Sequence, residues 1–197
     1  SETADDIRNL DRLISEIEAA HSIEVGTIKI VASIETALGV INSYQIASAS
    51  ERMLAIGLGA EDFRTDMRME RSEEALEILF ARNLISLNAH AAGIMAMDYV
   101  YSNIKNDEGL KRDVKLGKQL GYTGKSVVHP NQIGIVHELY TPTGEEINTA
   151  KNILDAYEEA LKNASGVTAL NGKMIDKPMV TRAMSILSYA KAAGMEV

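Results

Sequence analysis

Two short apolar runs, Ile28-Lys29-Ile30-Val31-Ala32-Ser33-Ile34 and Met53-Leu54-Ala55-Ile56-Gly57-Leu58-Gly59, organise the first part of the sequence. Both are flanked by helical patterns, as buried strands of a parallel sheet are. A carboxylate follows each run, Glu35 directly and Asp62 three positions later. Because parallel strands end at one edge of a sheet, we expect these side chains to lie close together. They would then hold a divalent cation, or else cap the following helices or pair with a cation such as Arg64.

The alternation of strand and helix patterns continues along the chain. Further strands are predicted over Ile94–Met97, which ends at Asp98, and over Lys125–Val128, with a helix over Ala37–Ser48 and a polar loop over Ala60–Arg71. Four strand–helix units in series predict a parallel sheet with right-handed crossovers. Because a closed barrel of this type has eight strands, the pattern predicts either a small open α/β sheet or the latter part of a barrel.

The last part of the sequence has a different pattern. Val167–Leu170, Asn171-Gly172 and Lys173–Ile175 predict a β-hairpin with an Asn-Gly turn, and Pro178 suits the first turn of a terminal helix. We therefore expect residues 1–163 to form the α/β part. Residues 164–197 are expected to form a hairpin–helix appendage that contacts a neighbouring subunit.

Composition excludes several classes of protein. The 197 residues contain no cysteine, which excludes disulfides and thiolate chemistry and fits a cytoplasmic location. No apolar run approaches the roughly 18 residues of a membrane span, so no membrane partner is expected. The net charge of −8 argues against a nucleic-acid surface.

Several motifs, in this order along the chain, carry a family resemblance. They are Ile34-Glu35-Thr36-Ala37-Leu38-Gly39, Gly57-Leu58-Gly59-Ala60-Glu61-Asp62-Phe63, Phe80-Ala81-Arg82, Ala96-Met97-Asp98-Tyr99-Val100-Tyr101, Gly124-Lys125-Ser126-Val127-Val128-His129-Pro130 and Asn171-Gly172-Lys173-Met174-Ile175-Asp176-Lys177-Pro178. The chain resembles the citrate lyase β-subunit family, citryl-acyl-carrier-protein lyases within the HpcH/HpaI-type aldolases that also include malyl-CoA lyase. The resemblance implies a TIM-type (β/α)8 barrel, apparently lacking its first three or so strands. The family's substrate-gripping arginine and Pro-Lys segment have no counterpart here.

The same resemblance implies the roles of three residues. Glu35 and Asp62 would be ligands of Mg²⁺, and Asp176 would transfer a proton in the active site of a neighbouring subunit. Beside these ligands, Gly59, Ala60 and Glu61 are expected to bind substrate, because small residues allow a free backbone N–H to approach a carboxylate. Simpler interpretations remain open: Gly59 and Ala60 form a tight turn, Glu61 holds the following loop, and Asp176 caps the terminal helix.

The activity implied by the resemblance is Mg²⁺-dependent cleavage of citryl-acyl-carrier protein, or citryl-CoA, to an acetyl thioester and oxaloacetate. Its partners would be the citrate lyase α subunit and the acyl-carrier γ subunit, within a homotrimer or hexamer. Two alternatives stay open. One is a lyase or thioesterase for malyl-CoA or a related acyl-CoA with the same metal site. The other is a non-catalytic truncated fragment or assembly subunit.

Other charged residues have alternative expected roles. Asp98 is expected to contact the thioester arm of the substrate or to buttress the sheet. The resemblance places Lys125, Ser126 and His129 near the pantetheine arm, although His129 also suits a turn before proline. Four arginines are expected to attract an anionic substrate or carrier, or to pair with Glu70, Glu73 and Glu74: Arg64, Arg68, Arg71 and Arg82.

Overall fold

Four parallel strands in chain order form the main sheet of the computed structural model, which describes residues 1–162, 168–170 and 173–197. By its internal contacts the chain divides into two compact units, Ser1–Val136 and His137–Val197. The elements up to the third strand are α1 (Ala4–Ala20), β1 (Ile30–Ile34), α2 (Ala37–Ile41), α3 (Ser43–Ala47), β2 (Met53–Leu58), α4 (Ala60–Met67), a 3₁₀ turn (Leu76–Ile78), α5 (Leu79–Ala91) and β3 (Met95–Asp98). The later elements are α6 (Asp107–Gln119), β4 (Gly124–Lys125), α7 (Asn131–Tyr140), α8 (Gly144–Lys162), β5 (Thr168–Leu170), β6 (Lys173–Ile175) and α9 (Lys177–Ala192).

The register of the sheet brings the ends of β1 and β2 to the same edge. Ile34 lies opposite Leu58 in the parallel ladder, so the residues that follow both strands emerge side by side. β3 and β4 continue the sheet in parallel, with Gly57 opposite Met97 and Met97 opposite Gly124. The predicted parallel α/β arrangement is therefore confirmed.

The two faces of this sheet differ in burial. One face carries Ile30, Ala32 and Ile34 of β1, which are buried in a core with residues of the surrounding helices. The other face carries Val31, which is 59% exposed, and Met95, which is 40% exposed. Parallel sheets are normally covered on both faces. Within the first unit, the residues packed against the sheet lie on the face of Ile30, Ala32 and Ile34.

The polar segment Ala60–Arg71 is not a loop as predicted, because α4 occupies its first eight residues. Only Ala60, Phe63 and Arg64 of this helix are buried, so the apolar pattern was too sparse to reveal it. The helix ends at Arg68, whose φ of +54° is left-handed. Asp62 therefore lies in the first turn of a helix.

Two other predicted elements have different bounds. The helix expected over Ala37–Ser48 is two short helices that meet at Asn42. The fourth strand pairs only at Gly124–Lys125, because the chain turns away into the region that precedes α7.

The second unit contains the predicted hairpin and terminal helix. β5 and β6 pair antiparallel, with Thr168 opposite Ile175, whereas the predicted Asn171-Gly172 turn lies outside the described residues. α8 belongs to the same unit and packs against α9. None of the described helices is both long and apolar enough to cross a bilayer.

Candidate functional site

The first part of the candidate site is the junction where Glu35 meets Gly59. The backbone N–H of Gly59 donates to the carbonyl of Ile34 at 2.8 Å, which joins the end of β2 to the end of β1. A Cβ atom on Gly59 would lie against Cγ of Glu35, 2.8 Å from Glu35 Oε1 and 2.9 Å from the Ser33 hydroxyl. Glycine at position 59 is therefore what allows the Glu35 side chain to lie across the end of the neighbouring strand.

The second part of the site is the first turn of α4, which follows Gly59 directly. Asp62 is exposed there, and Gly59 occupies the N-cap position with no side chain to cap the helix. The first N–H groups of a helix have no acceptor within the helix, and they carry partial positive charge. The backbone of Ala60 and Glu61 thus offers donors suited to an anion beside two carboxylates.

Neither the Glu35 nor the Asp62 carboxylate has a hydrogen-bond or ion-pair partner among residues 1–162, 168–170 and 173–197. At the start of α2, other residues perform the helix-capping role that was considered for these carboxylates. Thr36 caps α2, since its hydroxyl accepts from the Gly39 N–H at 3.1 Å. Asp66 accepts from the Ala37 N–H at 2.8 Å.

Arg64, the cation considered as a partner for the two carboxylates, pairs with other residues. It bonds Glu61 at 3.0 Å and Glu77 at 2.6 Å. Glu35 and Asp62 therefore remain the uncompensated acids at this edge of the described sheet.

These two carboxylates fit an Mg²⁺ site that substrate and water complete. The described residues contain no cluster of three or more histidine, cysteine, aspartate or glutamate side chains suited to a metal. Mg²⁺ commonly takes only one or two protein carboxylates and fills its other positions with water and substrate oxygens. Glu35 and Asp62, which have no partner among the described residues, can supply the two carboxylate ligands of such a site.

Glu61 lies next to Asp62 but has a different environment. Its Oε1 accepts hydrogen bonds from Arg64 at 3.0 Å and from Arg71 at 2.9 Å. Arg71 also donates to the Ser102 hydroxyl at 2.6 Å. The Glu61 side chain therefore holds the segment that follows α4, as the simpler interpretation expected, and its backbone N–H belongs to the open first turn.

Neither expectation for the arginines holds for Arg64 and Arg82, because both are buried and both pair with carboxylates other than Glu70, Glu73 and Glu74. Their partners are Glu61 and Glu77 for Arg64, and Asp98 and Asp113 for Arg82. Isolated buried charges are unfavourable, so buried arginines are found where carboxylates from other elements reach them. Three of these four partners lie more than ten residues away in sequence, which is why local spacing did not identify them.

Asp98 and Lys125 belong to a buried charge cluster next to the site. Asp98 accepts from Arg82 at 2.9 and 2.6 Å and from Lys125 at 2.9 Å, while Lys125 also pairs with Asp113 at 2.6 Å. Tyr99 donates to Asp113 at 3.0 Å. The cluster supports the sheet, which confirms one of the two roles expected for Asp98. The Lys125 ammonium is therefore bound by protein carboxylates, and a pantetheine arm near this strand end stays a prediction.

Asp113 was missed by the sequence analysis, although a signal was present. It lies on α6 on the same face as Leu110 and Gly117, three and four residues away, and both of these are buried. An aspartate on the buried face of a helix indicates a charge partner in the core. Of the residues around β4, Ser126 is exposed, and His129 accepts from the Asn131 N–H at 3.2 Å as a turn residue.

Asp176 lies in the second unit and caps α9. Its exposed carboxylate accepts from the Met179 N–H at 3.0 Å, and proline occupies the first turn as expected. The capping interpretation is thus confirmed, whereas the proton-transfer role of Asp176 stays a prediction. Asp retains a second carboxylate oxygen when one oxygen caps a helix, so the two roles are compatible.

The two acids thus lie at the edge of the sheet where the carboxyl ends of its parallel strands meet, which is where enzymes with parallel sheets bind their ligands. Residues 1–130 match the model of the family described as HpcH/HpaI aldolase/citrate lyase. The chain belongs to this family, which confirms the family predicted from the ordered motifs.

Relatives and solved structures agree with this assignment. The chain is 46% identical to citrate lyase subunit beta of Haemophilus influenzae over 192 residues, which cover 98% of this chain and 66% of the relative. It is similar to protein CitE from Mycobacterium tuberculosis in complex with magnesium, acetoacetate and coenzyme A, with a TM-score of 0.73, 27% identity and coverage of 97% and 66%. It is also similar to the citrate lyase beta subunit from M. tuberculosis complexed with oxaloacetate and magnesium, with a TM-score of 0.58, 26% identity and coverage of 72% and 59%. The chain spans about two thirds of the length of the curated relatives that it matches.

Proposed function

We propose that this chain belongs to a Mg²⁺-dependent carbon–carbon lyase that cleaves a citryl thioester to an acetyl thioester and oxaloacetate. One observation carries the proposal. Glu35 follows β1 and Asp62 lies in the first turn of the helix that follows the adjacent strand β2, and neither carboxylate has a partner among the described residues. The magnesium, acetoacetate and oxaloacetate in the complexes of related proteins support a metal and a keto acid at this kind of site.

The reaction is a retro-aldol cleavage. The tertiary hydroxyl of the citryl group loses its proton, and the adjacent carbon–carbon bond breaks to give the keto group of oxaloacetate. The bonding electrons pass to the acetyl fragment as an enolate, which takes a proton at carbon. A bound Mg²⁺ supplies Lewis-acid stabilisation of the developing keto oxygen.

The residues of this chain provide binding and orientation for that chemistry. Glu35 and Asp62 hold the metal, and the N–H groups of Ala60 and Glu61 donate to a substrate carboxylate. Gly59 leaves the space that the Glu35 side chain occupies at the end of the neighbouring strand. Asp176 of a neighbouring copy donates the proton to the enolate carbon, which requires a homo-oligomer, either a trimer or a hexamer.

The open face of the sheet supports a barrel architecture. Val31 and Met95 are exposed on the face that parallel sheets normally bury. The related proteins are about half as long again as this chain. We infer that further strands cover this face and complete a (β/α)8 barrel, with the site at the carboxyl ends of its strands.

Partners follow from the proposed substrate. A citryl group carried on an acyl-carrier protein implies the acyl-carrier γ subunit as a partner, together with the citrate lyase α subunit. The H. influenzae relative is named as the beta subunit of a citrate lyase, which supports such an assembly. A cytoplasmic location remains the expectation for this complex.

The function is tested by supplying the protein with citryl-CoA, malyl-CoA and citramalyl-CoA in the presence of Mg²⁺ and measuring the released keto acids by mass spectrometry. We expect oxaloacetate from citryl-CoA, loss of release after chelation with EDTA, and loss in Glu35→Gln. Glu51→Gln, which changes an exposed glutamate, is the matched control and should retain activity. Faster release from malyl-CoA or citramalyl-CoA would favour a related lyase. Mg²⁺ binding without any cleavage would contradict the lyase assignment.

A further inference from the structure

Arg64 is a buried arginine within the helix that presents Asp62. Its side chain is 5% exposed, although α4 is otherwise a largely exposed helix of eight residues. Its Nη1 donates to Glu61 at 3.0 Å and its Nε donates to Glu77 at 2.6 Å. Its guanidinium also lies 6.0 Å from the centre of the Tyr99 ring, which is within the range of a cation–π contact.

These contacts link α4 to two separate parts of the structure. Glu77 lies in the 3₁₀ turn before α5, where its other oxygen accepts from the Ser72 hydroxyl at 2.5 Å and from the Ser72 N–H at 3.3 Å. Tyr99 follows β3 and is buried within the Arg82–Asp98–Lys125–Asp113 cluster. Arg64 is thus the residue through which the first helix after the site contacts both the following segment and the neighbouring strand end.

The direction of Asp62 depends on the rotation of α4 about its own axis. Only two apolar side chains of this helix, Ala60 and Phe63, are buried, and no side chain caps its N-terminus. Apolar packing alone leaves such a short helix weakly fixed, whereas a guanidinium fork bonded to two carboxylates has a defined geometry. Arg64 follows Asp62 by two positions, so fixing its side chain fixes the turn that carries Asp62.

We infer that Arg64 is a positioning residue for the metal site: its bond to Glu77 and its contact with the Tyr99 ring hold α4 in the rotation at which Asp62 faces the same ligand as Glu35. This inference rests on the proposed Mg²⁺ site and goes beyond it, because Arg64 itself contacts neither metal nor substrate. Lysine cannot replace it, since a single ammonium does not reproduce the two-pronged contact.

The test compares Mg²⁺ affinity, measured by isothermal titration calorimetry, in wild type, Arg64→Lys, Arg64→Met and Glu77→Gln. Outer residues that orient metal ligands typically account for about 10–100-fold in metal affinity. We expect weakening in this range for Arg64→Met and a smaller weakening for Arg64→Lys and Glu77→Gln. Circular dichroism and thermal unfolding are recorded on each protein, so that affinity is compared between folded samples.

Arg52→Lys is the matched control. Arg52 is equally buried and also bonds two carboxylates, Asp11 and Glu18, but it precedes β2 at the opposite edge of the sheet. Its substitution should lower the unfolding temperature and leave Mg²⁺ affinity unchanged.

If Arg64 had only a structural role, its variants would behave like Arg52→Lys: the unfolding temperature would fall and the Mg²⁺ affinity would not change. That result would overturn the inference. If Arg64→Met does not fold, Arg64→Lys and Glu77→Gln decide the outcome by the same criterion. Failure of the proposed site is distinguishable, because Glu35→Gln and Asp62→Asn would then also leave Mg²⁺ affinity unchanged. Loss of affinity in those two variants, with full affinity in the Arg64 variants, would overturn the positioning role only.

Discussion

The side chain of Glu35 lies directly against the α-carbon of Gly59, at the place where the ends of β1 and β2 meet. A Cβ on residue 59 would come within 2.8 Å of Glu35 Oε1 and 2.9 Å of the Ser33 hydroxyl. Real Cβ atoms do not approach oxygen so closely, so any larger residue at position 59 moves Glu35. Sequence analysis assigned Gly59 to substrate binding. This contact indicates that the absence of a side chain at position 59 also determines the orientation of Glu35, the first proposed metal ligand.

Gly59→Ala should therefore weaken Mg²⁺ binding and destabilise the protein. Overpacking of this kind typically costs about 1–3 kcal/mol, and displacement of Glu35 should reduce the Mg²⁺ affinity of the folded fraction. Calorimetric titration and urea unfolding measure the two effects.

Gly134→Ala is the matched control for this substitution. Gly134 lies within α7 and has nothing within 4 Å of the added methyl group, so alanine there should stabilise by about 0.5–1 kcal/mol. Equal Mg²⁺ affinity in Gly59→Ala and wild type would show that Glu35 does not depend on this contact.

The buried cluster around Asp98 should be essential for folding stability. Asp98→Asn keeps the shape of the side chain but leaves Arg82 and Lys125 with one carboxylate fewer. Removing one partner of a buried ion pair typically costs about 3–5 kcal/mol. Urea unfolding should show this loss, whereas Asp155→Asn on the exposed face of α8 should change stability by less than about 0.5 kcal/mol. A similar small change in both variants would contradict the structural role of the cluster.

Glu18 should make stability depend on pH in the acid range. Arg52 donates to its carboxylate, and the N–H groups of Ile28 and Gly26 add further bonds, so together they outweigh burial and lower the pKa of Glu18 to about 2. Because the folded pKa lies below the usual glutamate value, this stabilisation is complete above roughly pH 4.5 and is lost as the pH falls towards 2.

The measurement is the free energy of unfolding of wild type and Glu18→Gln between pH 2 and pH 7. The difference between them should be constant above about pH 5 and should shrink below it. Glu24→Gln removes an exposed carboxylate that follows the same helix and should show no such decline. A Glu18→Gln difference that does not change with pH would contradict the assigned cause.

Asp176 requires variants that separate capping from proton transfer. Asparagine caps a helix as well as aspartate does but cannot donate a carboxyl proton, whereas alanine removes both functions and costs roughly 1 kcal/mol. We expect Asp176→Asn to retain wild-type stability and lose turnover, as unfolding and keto-acid release would record.

A complementation experiment tests whether Asp176 acts between copies. Mixed oligomers of Asp176→Asn with Glu35→Gln should recover part of the activity, because some sites then combine an intact metal ligand with an intact donor. Mixed oligomers that are demonstrated to form and yet stay inactive would contradict donation from a neighbouring copy.

The strands and the positions of Glu35 and Asp62 could be predicted because they rest on local patterns. A short apolar run flanked by helices is readable within a dozen residues, and the acids follow the runs directly. The helix after Asp62 could not be predicted in this way. That helix is stabilised by the ion pair between Arg64 and Glu77. In the sequence these are two separate charged residues, and no local pattern marks them as partners.

Lys125 shows the same limit in the assignment of the site. The resemblance placed it near a bound pantetheine arm, but its buried ammonium pairs with Asp98 and Asp113 from other elements. Sequence spacing located the edge of the sheet at which charged residues gather. Whether each charge faces a ligand or a protein partner depends on contacts between elements that are distant along the chain.

Titration of Mg²⁺ into wild type, Glu35→Gln and Asp62→Asn, with Glu51→Gln as the control, tests the central claim most directly. Calorimetry is performed with and without oxaloacetate. The account predicts saturable binding that oxaloacetate strengthens in wild type and Glu51→Gln, and loss of that binding in both site variants while circular dichroism shows an unchanged fold. Undiminished Mg²⁺ binding in folded Glu35→Gln and Asp62→Asn would contradict it.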